Sequence, residues 1–208
     1  MDLLIDLINR GGWVMYPILL CSIAGLGLTL ERLWALRRGR VVPRTFLASV
    51  SGLLDQRRYD DVAFLSQSED NAAARLVNLA LKLGGRRRSL FKDAMEEAGR
   101  REAAELTTHL GALHLVASVS PLLGLLGTVS GMISAFSAIA QEGVGHPGLL
   151  AEGISEALLT TAAGLCVAIP VLVIHRALSS RAETLTSDLE ELSSDLLEAL
   201  AAPEPHSR

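Results

Sequence analysis

Three uncharged stretches divide this chain: Gly11 to Leu30, Leu106 to Ala140 and Ala157 to His175, of 20, 35 and 19 residues. A bilayer-spanning helix needs about 20 apolar residues, so each stretch predicts one span. Between the first two, Phe46 to Ser66 and Ala72 to Leu83 carry apolar residues at three-to-four spacing, the period of an amphipathic helix. SerGlnSerGluAsp and Gly84-Gly85 interrupt them. From Ser89 no helix breaker occurs before Pro121, which predicts one helix over 89–140. Its 35 uncharged residues extend ~52 Å at 1.5 Å each, beyond a hydrocarbon core of about 30 Å. Part of that helix is therefore expected to lie in protein outside the bilayer. Beyond the third span Leu178, Leu185, Leu189, Leu192, Leu196 and Leu200 continue a helical stripe, and a Pro-containing tail ends the chain.

Composition agrees with a membrane protein: half the residues are hydrophobic, 20% are charged and the mean hydropathy is +0.36. Asp2 and Asp6 stand where a signal peptide would be basic, so the first span is expected to be retained. Cys21 and Cys166 lie inside spans without a Cys-x-x-Cys context and read as small apolar side chains. Of 19 Lys and Arg residues, 14 fall between Arg37 and Arg101, and Arg176, Arg181 and Arg208 follow the third span. The positive-inside rule then places the N-terminus outside and the C-terminus in the cytoplasm. The expected layout is an outer segment at 1–12, spans at 13–36, 109–140 and 154–176, a cytoplasmic helical region at 37–108, an outer loop at 141–153 and a cytoplasmic helix and tail at 177–208.

The second and third spans contain more Gly, Ser and Thr than lipid contact requires. Ala117, Pro121, Gly124, Thr128, Gly131 and Ala135 recur at intervals of four, three, four, three and four, and Gly127 lies beside them. Ala157, Thr161, Gly164 and Ala168 form a similar stripe, with Glu156 and Thr160 beside it and Pro170 at its end. Such faces let helices approach closely or line a polar path. Counted along the helices, Thr128 lies ~18 Å and Thr161 ~13 Å from the outer loop, with Glu156 only ~6 Å in. A hydroxyl can donate and accept without the penalty of a buried charge, and a carboxylate in a bundle can take up and release a proton. The same features suit plain packing, with Glu156 placed for the helix dipole. His109 and His114 read as polar residues of the bundle, Glu31-Arg32 as a charged stop at the inner face, and Trp13, Tyr16, Trp34 and His175 as interface residues.

ProLeuLeuGlyLeuLeuGlyThrValSerGlyMetIle (121–133), the run IleSerGluAlaLeuLeuThrThrAlaAlaGlyLeuCysValAlaIlePro (154–170) and GluArgLeuTrp (31–34) resemble the MotA/TolQ/ExbB proton channel family, on its ExbB/TolQ-like branch. Flagellar stators of that family have four spans and a larger cytoplasmic domain. The resemblance implies an all-α inner-membrane protein of bacteria, a homopentamer around a pore. The pore would hold the span of an ExbD/TolR-like single-span protein that carries the protonatable Asp. Thr128 and Thr161 would be pore-facing hydroxyls, Glu156 the carboxylate of the third span, and Thr160 a further residue of the proton path. Proton flow would do mechanical work through a TonB/TolA-like effector, for biopolymer transport or envelope energisation, or through a motility effector. This chain has no acidic residue at the centre of any span, which points to a partner that supplies one. A non-conducting scaffold is the alternative. There is no Gly-x-Ser-x-Gly elbow, His-Glu-x-x-His or P-loop, so an intramembrane enzyme is not expected. The expected surroundings are membrane lipid, with no cofactor, metal or nucleic acid.

Overall fold

A computed structural model describes residues 11–142 and 147–201. The expectations for the first ten residues, for 143–146 and for the tail from 202 lie outside them. The described residues form eight helices and no strand: α1 (Met15–Ala35), α2 (Arg38–Val41), α3 (Arg44–Asp55), α4 (Tyr59–Gln67), α5 (Ala72–Leu83), α6 (Arg88–Thr107), α7 (Leu110–Glu142) and α8 (Pro147–Leu200). The protein is an all-α, multi-pass membrane protein: Met15–Ala35, Arg88–Ala140 and Leu150–Leu200 are each long and apolar enough to cross a bilayer. Helix α8 begins at Pro147, inside the segment read from the sequence as outer loop. Proline suits a first helical position because no amide is needed there. Two compact units divide the chain, one of residues 1–32 and 109–177, the other of 33–108 and 178–208.

In the first unit α1, α7 and the beginning of α8 pack side by side. Val14, just before α1, and Met15 and Ile18 of α1 are buried against Leu123 of α7 and Ala163 and Val167 of α8. Further along α1, a Cβ on Gly25 would stand 3.1 Å from Val171 and 3.2 Å from Val116, so the helices stay close over several turns. Leu20, Ile23, Leu26, Leu122, Leu126, Val129, Ile133, Leu158 and Ile169 remain exposed. An apolar belt of that extent belongs to a lipid or protein environment rather than to water.

The second unit is a helical bundle of different chemistry. Its core joins Phe46, Val50, Val62, Leu76, Val77, Phe91 and Met95 to Leu178, Leu185, Leu189, Leu192 and Leu196 of α8. Asn71 caps α5, its Oδ1 accepting from the Ala74 amide at 2.9 Å. Ser66 Oγ donates to Asn78 Oδ1 at 2.7 Å, and Asn78 Nδ2 donates to the Ser66 carbonyl at 2.9 Å, which pins α4 to α5. Arg75 forks onto Glu102 at 2.8 and 2.5 Å, and that carboxylate keeps the guanidinium charged above its ordinary range.

Two breaks depart from the periodicity. The apolar spacing through Phe46 to Ser66 is divided at Gln56–Arg58, where Arg57 adopts φ 56°. The Arg58 amide reaches back to Leu53 O at 3.0 Å and the Arg57 amide to Leu54 O at 2.9 Å, a Schellman closure without the usual glycine. The helix expected over 89–140 ends at Thr107 and restarts at Leu110. Thr108 is extended (φ −50°, ψ 143°) and His109 lies in the left-handed region at φ 60°. The Thr107 and Thr108 hydroxyls donate to the Ala103 and Ala104 carbonyls, so the last turn of α6 is closed by its own side chains. Even so, α7 alone is 33 residues long, ~50 Å, and still exceeds the bilayer core.

Candidate functional site: the seam between α7 and α8

The antiparallel contact of α7 with α8 is built from residues almost without side chains. A Cβ on Gly124 would meet the Thr160 carbonyl at 3.0 Å and the Thr161 Cα at 3.1 Å. One on Gly131 would lie 2.7 Å from the Gly153 carbonyl, and one on Gly164 would lie 2.6 Å from the Ser120 carbonyl. At Gly127 an added Cβ would overlap the Thr160 hydroxyl. Backbone therefore touches backbone over about four turns, the packing that small residues permit in lipid.

The buried line on α7 runs Ala117, Ser120, Gly124, Gly127, Gly131 and Ala135; on α8 it runs Gly153, Ala157, Thr160, Gly164 and Ala168. Pro121 and Thr128 are half-buried beside the first line, Thr161 is half-buried beside the second, and Pro170 is exposed outside the seam. The stripes read from the sequence do not include Ser120 or Gly153. One further four-residue step back from Ala157 reaches Gly153, so that part of the signal was present.

At 100° per residue, Leu123 and Thr128 fall about 70° to either side of the buried line of α7. On α8, Thr161 falls about 70° to one side, while Ala163, Val167 and Glu156 fall to the other. Helix α1 covers the flank of Leu123, Ala163 and Val167. Because α7 and α8 are antiparallel, Thr128 and Thr161 share the opposite flank, which α1 leaves open. Thr128 lines an open groove there with Val129, Met132, Ile133 and Phe136.

The hydroxyls differ in their partners. Thr161 Oγ1 donates across the seam to the Gly124 carbonyl at 3.2 Å. Thr160, fully buried, bonds back to its own helix at Ala157 O (2.9 Å) and Glu156 O (3.1 Å). Thr128 Oγ1 bonds to Leu125 O at 2.7 Å. The fold does not bring Glu156 beside the two flanking threonines: it stands about 140° around α8 from Thr161. Its carboxylate lies against Gly12, just before α1, at the positive end of that helix's dipole. Trp13 Nε1 donates to Ser130 Oγ at 3.3 Å and fastens the same end of α1 to α7.

Gly12 adopts φ +66°, and any Cβ there would overlap the Glu156 carboxylate. Gly12→Ala is expected to lower stability by about 1–2 kcal/mol, roughly 1 of it from the left-handed backbone. In a Glu156→Ala background only the backbone part should remain. Unfolding of the four proteins of this double-mutant cycle measures the coupling, and strictly additive losses would show that the carboxylate does not press on Gly12.

Comparison with known proteins adds a second line of observation. The sequence profile of the MotA/TolQ/ExbB proton channel family matches residues 66–191, which include the whole of the seam. The chain is 36% identical over 185 residues to a putative ExbB-like biopolymer transport protein of Synechocystis, covering 85% of this chain and 71% of the relative. It is 30% identical over 190 residues to a putative ExbB homologue of Methanothermobacter thermautotrophicus, covering 89% of this chain and 66%, just under two thirds, of that relative. A Tol-Pal system protein TolQ of Haemophilus influenzae is 41% identical over 95 residues, 46% of this chain and 42% of that protein.

Proposed function

The chain belongs to the MotA/TolQ/ExbB proton channel family, on its ExbB/TolQ-like side, and from that premise we propose that it is the channel-forming subunit of a proton-driven machine in the inner membrane. The observation that carries this reading is the open flank of the α7–α8 seam, where Thr128 and Thr161 stand on the side α1 does not cover. Five copies with these flanks turned inward would surround a pore lined by small and hydroxyl residues. Thr128 and Thr161 are the pore-facing hydroxyls of the proposal. The buried Thr160 and the glycines serve close packing. Glu156 contributes at the outer end, where it meets the start of α1.

No span has a carboxylate at its centre, so the proton carrier is supplied by a partner: a single-span, ExbD/TolR-like protein whose Asp sits between the threonines. With the N-terminus outside, protons enter at the Glu156 end and leave toward the cytoplasm. Each charge crossing 100 mV releases about 2.3 kcal/mol, and a TonB/TolA-like or motility effector would draw work from the resulting movement of partner against pentamer. The reading follows from chemistry that positions and conducts rather than from bond-making groups, so no enzymatic step is part of it.

The test is reconstitution of the full chain in liposomes with and without such an Asp-bearing partner. The expected result is a five-copy assembly by native mass spectrometry, with proton leak under an imposed potential only when the partner carries its Asp. A stable monomer, or leak unchanged by an Asp→Asn partner, would refute the proposal.

A further inference from the structure

At the other end of the membrane unit, three ionisable side chains meet at the restart of the second span. Arg32, only 6% exposed, donates from Nε to Glu31 Oε2 at 2.7 Å and from Nη2 to Glu31 Oε1 at 2.8 Å. The pair is more than a charged stop, because His109 closes on both members. Its Nδ1 stands 3.2 Å from Arg32 Nη2 and 3.2 Å from Glu31 Oε2. The left-handed backbone of His109 belongs to the residue that starts α7, and its carbonyl accepts the first bond of that helix from the Leu113 amide at 3.0 Å.

One imidazole nitrogen cannot serve both neighbours in one state. Toward the Arg32 guanidinium, Nδ1 must offer its lone pair; toward the Glu31 carboxylate, it must carry a hydrogen. We infer that His109, held between Glu31 and Arg32, is a proton-binding site whose occupancy exchanges its hydrogen bond from Arg32 to Glu31. The neutral ring that carries its hydrogen on Nε2 accepts from Arg32 at Nδ1. On taking one proton from the adjoining water it donates from Nδ1 to Glu31 and presents a cation to Arg32, so the link between the end of α1 and the start of α7 changes partner with proton number. The His109 and Glu31 side chains are about half exposed, which gives the proton access from solvent.

Helix α1 presents Glu31 and Arg32. On α7 itself the next is His114, whose ring lies 5.1 Å from that of His175 on α8, and Arg176 follows on the exposed side of α8. The His114–His175 pair is more than a turn further into the membrane unit, so of these groups Glu31 and Arg32 are the ones within hydrogen-bond reach of the His109 ring. The site is separate from the α7–α8 flank and stands whether or not that flank conducts.

The test uses the full chain in lipid nanodiscs with 15N-labelled histidine, the His109 ring signals being assigned by loss in His109→Gln and followed from pH 5 to 8. An opposite charge within reach of a titrating group changes proton affinity by tenfold or more, and partial exposure keeps the effect near the lower end. Glu31→Gln is expected to require about tenfold more protons for half-occupancy than wild type, and Arg32→Gln about tenfold fewer. Glu31 is at the exposed end of its span, so Glu31→Gln folds and decides the matter alone if Arg32→Gln does not. Half-occupancy at the same pH in wild type and Glu31→Gln, or a change of the opposite sign, would overturn the inference.

Discussion

Gly164→Ala is expected to destabilise the membrane unit by about 2–3 kcal/mol, although alanine is the better helix former by about 1 kcal/mol. The new Cβ would stand 2.6 Å from the Ser120 carbonyl, 3.1 Å from the Gly124 Cα and 3.2 Å from the Gly124 amide nitrogen. All three are backbone atoms of α7, so no side chain can rotate away and the two helices must separate. Separation loses the contacts of Gly124, Gly127 and Gly131 together, because they share one rigid line. Overpacking of this kind costs typically about 1–3 kcal/mol, and Gly164→Val should approach loss of the folded hairpin. The matched control is Gly27→Ala on α1, where an added Cβ meets nothing within 4 Å; there stability should hold or rise. Unfolding in mixed micelles, followed by the fluorescence of Trp13, compares the pair. Equal responses at Gly164 and Gly27 would mean that the seam is looser than the backbone contacts indicate.

The second large effect falls on activity rather than on stability. Thr161→Val keeps the shape of the side chain and removes its bond to the Gly124 carbonyl, a loss of about 0.5–1.5 kcal/mol that the fold can bear. In the reconstituted complex, proton flux is expected to fall at least about tenfold, equivalent to about 1.4 kcal/mol of barrier, if the hydroxyl on the open flank relays protons as proposed. Thr128→Val should act in the same direction. Thr160→Val is the discriminating control: it is the adjacent residue, fully buried, with its hydroxyl bonded to its own helix. Flux near the wild-type level in Thr160→Val, beside a deep loss in Thr161→Val, locates the path on the flank. If Thr128→Val and Thr161→Val both conducted normally, the seam would be a packing device and the scaffold reading would take its place.

Particular residues show where sequence reasoning reached its limit. The recurrence of Ala117, Gly124, Gly131 and Ala135 is visible in one dimension and belongs to the buried line. The choice between Pro121 and Ser120, or Thr128 and Gly127, is not visible. Neighbours one position apart differ by 100° around the helix, and a small-residue face is wide enough to hold either. Neither break is legible in the sequence, because neither uses the residues that announce a break. Arg57 takes a conformation that glycine usually supplies, and His109 takes another after a turn closed by two threonines. Glu156 could be placed by depth, but its neighbour Gly12 lies 144 positions away in the chain, and no periodicity connects them.

What the sequence by itself determined is everything that one helix can express alone: three spans, the small-residue faces of two of them, the Leu stripe beyond the third, and the concentration of arginines between the first and second. These depend on hydropathy and on a 3.6-residue period, both written in local order. Tertiary structure alone decided the rotational phase of α7 against α8, the flank that α1 covers, the separation of Glu156 from Thr128 and Thr161, and the meeting of Glu31, Arg32 and His109. Those outcomes rest on which backbone can come closest to which. In a membrane, where lipid is as apolar as leucine, close contact and hydrogen bonding rather than hydrophobicity choose the neighbour.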